Sequence, residues 1–277
     1  MISMAAESNS RDDRVLPFTR AVAYSIAPFL VLAFAVLYPV PADTGRLFAW
    51  HIASTLTAMM LGSAYLGGAY FFVRAARATA WHTINGGFVP VGIFATLLGV
   101  ATILHWPVFN HRHVAFWLWA LLYFTTPFLI FTVWLRNRRT LAPPDDGEVA
   151  LPPASAWAIA GIGGLALITG AVLFLAPGTA ARWWPWAVTP LTAQVLGAIL
   201  CLGAAGVGAP TDRRWSTARL PVQVALIMLT LMLVAGLRAH AQFTGAAGTW
   251  LFATGFGAVT AALAVLYWRM HRAAVRR

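Results

Sequence analysis

Charge is what this sequence has least of. Only 10% of its 277 residues are Asp, Glu, Lys or Arg, whereas a soluble globule of that size carries roughly a quarter. An ordinary soluble domain is therefore excluded. Lysine is absent, so all nineteen basic residues are Arg. Of the eight carboxylates, none falls inside an apolar block, which removes the intramembrane Asp or Glu that proton-driven carriers usually need. The lone Cys201 permits neither an intramolecular disulfide nor a CxxC redox or metal motif; a small buried apolar side chain is its expected role. There is also no nucleotide-binding loop, HExxH or nucleophile elbow, and no polar segment large enough to house one. No catalytic residue is assigned, and the reading leans away from an enzyme.

Apolar residues dominate instead, at 60% of the chain, and they fall in eight blocks near 21–40, 51–73, 86–105, 114–135, 156–176, 188–209, 220–239 and 247–268. A block of about 20 residues crosses a hydrocarbon core roughly 30 Å thick as a helix. The blocks are continuous rather than alternating, which favours helices over a barrel. The first block spans a whole bilayer and leads into more spans, unlike a cleaved signal peptide. The expected fold is an all-α membrane protein with eight transmembrane helices.

The Arg residues then orient it. Fifteen of them fall in the tails and in the connections after blocks 2, 4 and 6; only Arg46, Arg112, Arg182 and Arg238 lie on the other side. Basic loops are retained in the cytoplasm during insertion, so both termini are expected there, in a bacterial-type inner membrane. The net charge of +11 thus reads as topology, not as nucleic-acid binding.

The longest interruption runs from Arg136 to Pro153 and has linker composition, with Pro143, Pro144, Asp145, Asp146, Glu148 and Pro152. It divides the chain into a cytoplasmic tail over 1–20, four spans over 21–135, a linker over 136–155, four more spans over 156–268 and a basic tail over 269–277. The halves resemble each other. Pro41, Arg46 and Trp50 have the spacing of Pro177, Arg182 and Trp186; Thr57-Ala58 corresponds to Thr192-Ala193, Trp81-His82-Thr83 to Trp215-Ser216-Thr217, and Trp117-Leu118-Trp119 to Trp250-Leu251-Phe252. Matches in one order at near-constant separation indicate duplication. Two parallel four-helix repeats are therefore expected, because an even-span unit keeps its orientation, and a shared site belongs at their seam.

Two constellations carry candidate chemistry. Arg46 and Arg182, each followed by Trp50 or Trp186, are expected at the outward face, where guanidinium groups bind anionic headgroups or solutes. The indoles equally suit a headgroup-level belt. His51, His105 and His113 are the candidate metal ligands for haem or copper, with Asp43 nearby; their spacing matches no metal signature. Thr57, Thr96, Thr125, Thr126, Thr169, Gln194, Gln223 and Thr230 are expected to bridge helices, and Gly62, Gly67, Gly68, Gly161, Gly163, Gly164 and Gly170 to permit close helix contact. Pro90 and Pro127 are expected to kink their helices.

Two four-helix halves with His at their outer ends look like haem A synthase and related eight-span haem proteins. Those proteins pair His ligands in both halves and carry a Glu in a span. Here the second half offers only His240 at the matching end, so the likeness covers topology and no ligand is carried over. The Arg-x-x-Pro-Trp-x-x-Thr-Pro-Leu-Thr-Ala string, Arg182 to Ala193, is similar to uncharacterised bacterial integral membrane proteins, a likeness that implies no activity. The reading is a multi-pass protein that binds or transports an anionic or amphipathic solute, lipid included. The alternatives are a haem- or copper-binding redox protein and a structural subunit that packs on a membrane partner or on its own copy. The orientation has a direct check: a fluorescent-protein fusion at Arg277 is expected to fluoresce, and an alkaline phosphatase fusion there to stay inactive. The reverse pattern overturns the placement.

Overall fold

The computed structural model describes residues 13–138 and 148–276. Eight of its helices are long and apolar enough to cross a membrane: α1 (Pro17–Leu37), α2 (Thr55–Arg77), α3 (Phe88–Leu104), α4 (Val114–Asn137), α5 (Pro153–Leu175), α6 (Pro190–Cys201, continued by Ala204–Val207), α7 (Trp215–Arg238) and α8 (Ala246–Val275). Among the described residues there is no strand beyond three isolated bridges. The chain is thus a multi-pass helical protein suited to a lipid bilayer.

Helix ends depart from the hydropathy boundaries where capping chemistry decides. Pro17 and Pro153 stand in the first turns of α1 and α5, where a missing N–H costs nothing. In α2 the start moves to Thr55 because Ser54 accepts a 3.1 Å bond from the Thr57 N–H. Thr189 and Thr192 cap each other at the head of α6, with Pro190 as its first residue, as its position suggested. The α8 helix continues to Val275, so most of the basic tail expected over 269–277 is helical. The linker expected over 136–155 is shortened by α4 and α5, and its residues 139–147 lie outside the described residues. Pro90 is the third residue of α3 and so falls in its first turn, which interrupts no helical bond; Pro127 does lie inside α4.

Helices pair as α1 with α2, α3 with α4, α5 with α6 and α7 with α8; α2 also packs on α7, and α3 on α6. Consequently α2 and α6 are central, while α8 has Trp250, Leu251, Val265 and Trp268 exposed, as lipid contact requires. Asn137, at the foot of α4, donates 2.7 Å to Thr19 of α1 and accepts from the Leu16 N–H.

Connections are tied by backbone bonds at both ends of the bundle. Before α1, Val15 N–H donates to Thr79 O (3.1 Å) and Trp81 N–H to Asp13 O (2.7 Å); before α5, Leu151 N–H donates to Arg213 O (2.7 Å) and Trp215 N–H to Val149 O (2.8 Å). At the opposite end Asn110 N–H bonds Ala49 O, and Thr244 N–H bonds Pro185 O, each at 2.9 Å. These bonds satisfy backbone groups that the bilayer would leave without a partner.

Small residues set the tightest contact. A Cβ on Gly197 would stand 2.6 Å from the Gly170 carbonyl oxygen, and one on Gly170 would stand 2.5 Å from the Gly197 oxygen. The backbones of α5 and α6 therefore touch there. Gly62, Gly67, Gly68 and Gly163 also face close neighbours, but Gly161 and Gly164 face open space. Gly197→Val is expected to cost about 1–3 kcal/mol through overpacking, read as a lower melting temperature in detergent. Gly161→Val, with nothing within 4 Å, is the control expected to leave it unchanged.

Candidate functional site

The residues proposed from sequence all sit near the Arg-poor end, but they serve different local structures. Arg46 lies on the short helix Thr44–Leu47, its side chain 75% exposed and 3.8 Å from Asp43. Arg182 is exposed beyond the short helix Pro177–Ala180. Their companion indoles turn inward. Trp50 is 2% exposed among Phe48, Phe109 and Trp119, with ring centroids 4.9–5.1 Å away. Trp186, also 2% exposed, packs edge-on against Trp184, Phe243 and Phe252. A ligand outside this end would therefore meet Arg46 or Arg182 without either buried ring.

The three candidate His ligands are likewise engaged apart. His51 is exposed, beside Gly45. His113 caps α4, its Nδ1 accepting from the Ala115 N–H at 3.1 Å. His105 lies 2.8 Å, through Nε2, from Gln194 Oε1, and since an amide oxygen only accepts, His105 donates. Among the described residues no three His, Cys, Asp or Glu side chains form a group able to hold a metal ion.

What these side chains do is close the seam. Trp186 Nε1 donates to Thr57 Oγ1 at 2.8 Å, joining the loop before α6 to α2. Gln242 follows α7 and caps α2: its Oε1 accepts from Ser54 Oγ (2.8 Å) and the Leu56 N–H (3.1 Å), while its Nε2 donates to Thr55 Oγ1 (2.7 Å). Arg238 donates to Tyr38 O at 2.9 Å, at the C-terminal end of α1, and stands over the Tyr38 ring. This places a cation where the α1 dipole is negative. Gln194 adds a 3.0 Å bond to Phe174 O. Gln194 and Gln223 do bridge helices, as expected, Gln223 accepting from Tyr70 and donating to Tyr267; Thr57 meets a loop instead, Thr96 and Thr125 bond back to Gly92 O and Leu121 O of their own helices, and Thr126 Oγ1 is buried without a partner.

The Arg-rich end differs. Between the foot of α2 and the head of α7 lies a cavity of about 430 Å³, lined by Arg74, Arg77, Thr79, Thr83, Arg219 and Gln223 among polar groups and by Ala78, Ile84 and Leu220 among apolar ones. Among the described residues, no carboxylate lines it. Arg74 and Arg77 are exposed, whereas Arg219 is partly buried and its Nε is buried without a hydrogen-bond partner. An unpaired buried guanidinium N–H carries a desolvation cost.

Nearby carboxylates are already held. Asp13 pairs with His82, and Glu148 accepts from Ser216 at the cavity wall. Asp212 accepts from Arg214 through both oxygens, at 2.9 and 2.8 Å. Burial pushes the Asp212 carboxyl up, but the Arg214 bonds outweigh it and hold it below the usual range. The same bonds raise Arg214. Sequence reasoning missed this site because Arg74, Arg77 and Arg219 looked like topological charges. Drawing the seventh span from 220 left Arg219 in a loop, although it belongs to the second turn of α7.

Compared with known protein families, curated proteins and solved structures, the chain matches none of them. The side chains themselves are then the only guide to function. Trp186→Phe keeps the ring packing but removes the Thr57 bond, and is expected to cost about 1 kcal/mol. In a double-mutant cycle with Thr57→Val the losses are expected to be non-additive; additive losses would show that the bond does not hold the seam.

Proposed function

We propose that this protein is a duplicated membrane protein of two parallel four-helix units that binds an anionic or amphipathic solute at the Arg-rich, cytoplasmic end of their seam. The cavity lined by Arg74, Arg77 and Arg219, with no lining carboxylate among the described residues, carries this reading. Guanidinium forks match oxygen anions, and a site at the end of spanning helices is open to headgroups and to soluble ions alike. Binding is its chemistry; no nucleophile or general base is invoked.

The duplication rests on order as well as sequence. Exchanging α1 to α4 for α5 to α8 returns the main helix pairings, with α2 on α7 becoming α6 on α3. The backbone bonds of Val15, Trp81 and Asn110 recur at Leu151, Trp215 and Thr244, at the near-constant separation seen in the sequence. Chance pairing does not keep register in this way. Orientation follows from the Arg asymmetry, with both termini in the cytoplasm.

This reading moves the binding site away from the end marked by Arg46 and Arg182. There the seam is already closed by direct bonds, and Arg46 faces Asp43. At the Arg-rich end α7 packs on the turns over 81–87, and beside that contact lies the cavity, with Arg74 and Arg77 on the α2 side and Arg219 on the α7 side.

The test is thermal unfolding of the purified protein in phosphatidylcholine nanodiscs, titrated with sulfate, citrate or inorganic phosphate, and repeated with phosphatidylglycerol in the bilayer. At least one of these probes is expected to raise the melting temperature by a few degrees, and Arg74→Gln/Arg219→Gln to abolish that rise while leaving insertion intact. No rise with any probe, or an equal rise in the variant, overturns the proposal.

A further inference from the structure

The last helix carries a second Arg-bearing surface, away from the seam cavity. Among the described side chains of α8, only Phe252 and Met270 are buried, one towards each end. The helix therefore packs by one face and gives the other to lipid. Along that exposed face run Ala258, Ala261, Val265 and Trp268, followed in the same register by Arg269, Arg272 and Arg276. Steps of three and four residues keep them on one side.

Helix geometry gives the depth. Trp250 and Trp268 are both exposed and, at 1.5 Å of rise per residue, stand roughly 27 Å apart along the axis. That matches a hydrocarbon core of roughly 30 Å, so the two indoles fall at its two borders. The Arg residues then begin at headgroup level, on a helix that continues to Val275. Arg272 stands over the Trp268 ring, its Cζ 3.9 Å from the ring centre. A guanidinium resting on an indole keeps its N–H donors available, because they lie in its own plane.

Those donors have no taker within the described residues. Apart from the Trp268 contact, Arg269, Arg272 and Arg276 make no hydrogen bond or ion pair there. Every described carboxylate is engaged elsewhere: Asp13 with His82, Asp43 facing Arg46 at the opposite end, Glu148 with Ser216 and Asp212 with Arg214. Glu7, Asp12, Asp145 and Asp146 lie outside the described residues and are competitors that the experiment must count.

We propose that the exposed face of α8 holds an anionic phospholipid, with its acyl chain along Ala258, Ala261 and Val265 and its phosphate on Arg269 and Arg272 beside Trp268. The fork alone does not select the lipid, since phosphatidylcholine carries the same phosphate; its choline, however, cancels the charge that the Arg stripe would meet. A soluble anion has no use for the apolar stripe. The surface is independent of the seam cavity, because none of these residues lines that cavity.

The experiment places the protein in phosphatidylcholine nanodiscs with a trace of photoreactive lipid, diazirine-tagged on the acyl chain, as either phosphatidylglycerol or phosphatidylcholine. Adducts are mapped by mass spectrometry. Phosphatidylglycerol is expected to label α8 between Ala258 and Trp268 at least about three times as often as phosphatidylcholine. Arg269→Gln/Arg272→Gln is expected to bring that ratio close to equality, while Arg74→Gln/Arg219→Gln, at the seam cavity, leaves it unchanged.

Equal labelling in the unaltered protein overturns the proposal, whether the chain's own Glu7, Asp12, Asp145 or Asp146 already occupies the Arg or the bilayer is simply not selected there. A preference that survives Arg269→Gln/Arg272→Gln overturns it too. So does full preference in Arg272→Lys, which keeps the charge but not the flat contact or the fork, since surface potential alone would then explain the labelling. Should the double variant not insert, Arg272→Gln serves in its place, with at least about a halving of the ratio expected.

Discussion

Inside a bilayer no water stands ready to satisfy a polar group, and the seam of this protein is built around that constraint. Gln242 is the clearest instance. Its amide accepts twice and donates once to Ser54, Thr55 and Leu56, so the first turn of the central helix α2 is capped by a residue from beyond α7. Trp186 does the same for Thr57, and Arg238 for the last carbonyls of α1. Each bond joins distant parts of the chain. Lost together, they would leave helix-end donors and acceptors of the core unpaired, at a cost of about 1–3 kcal/mol for each buried group.

That closure at one end gives the other its character. Helices α2 and α7 are pinned where Gln242 and Trp186 reach across, and Gln223 ties them again through Tyr70. Beyond Gln223 the contact opens into the Arg-lined cavity. The described carboxylates nearby are bound to His82, Ser216 and Arg214. The result is a polar seam satisfied from within at one end and lined by Arg side chains at the other. Arg74, Arg77 and Arg219 also belong to the Arg asymmetry that reads as topology, which is why that reading accounts for them and conceals the cavity they line.

Much of the architecture was legible because it depends on near-neighbour chemistry. Eight spans followed from block length, and Pro190 at the head of α6 from the tolerance of Pro in a first turn. Errors came where a cap or a distant partner decides. Ser54 moved the start of α2, and Pro90 fell in a first turn rather than mid-helix. Gly161 and Gly164 resemble Gly163 and Gly170 in sequence, yet only the latter two meet a facing backbone. Composition identifies small residues; it does not say which side of the helix they face.

The site shows the same division. Arg46, Arg182, Trp50 and Trp186 were conspicuous in the sequence as a repeated pattern, and the repetition has a local cause: each marks the loop before a central helix. Their indoles proved to be core side chains because only the fold brings Phe109 and Trp119, or Phe243 and Phe252, against them. The cavity residues bear no pattern at all, since Arg77 and Arg219 are separated by most of the chain. Hydropathy and charge, which act residue by residue, determined that this protein has eight helices long and apolar enough to cross a membrane, with most of its Arg at one end. Which Arg residues share a cavity, and which polar groups are already satisfied, was decided by the packing of α2 against α7, because pairing in space depends on helix rotation and depth that no run of sequence encodes.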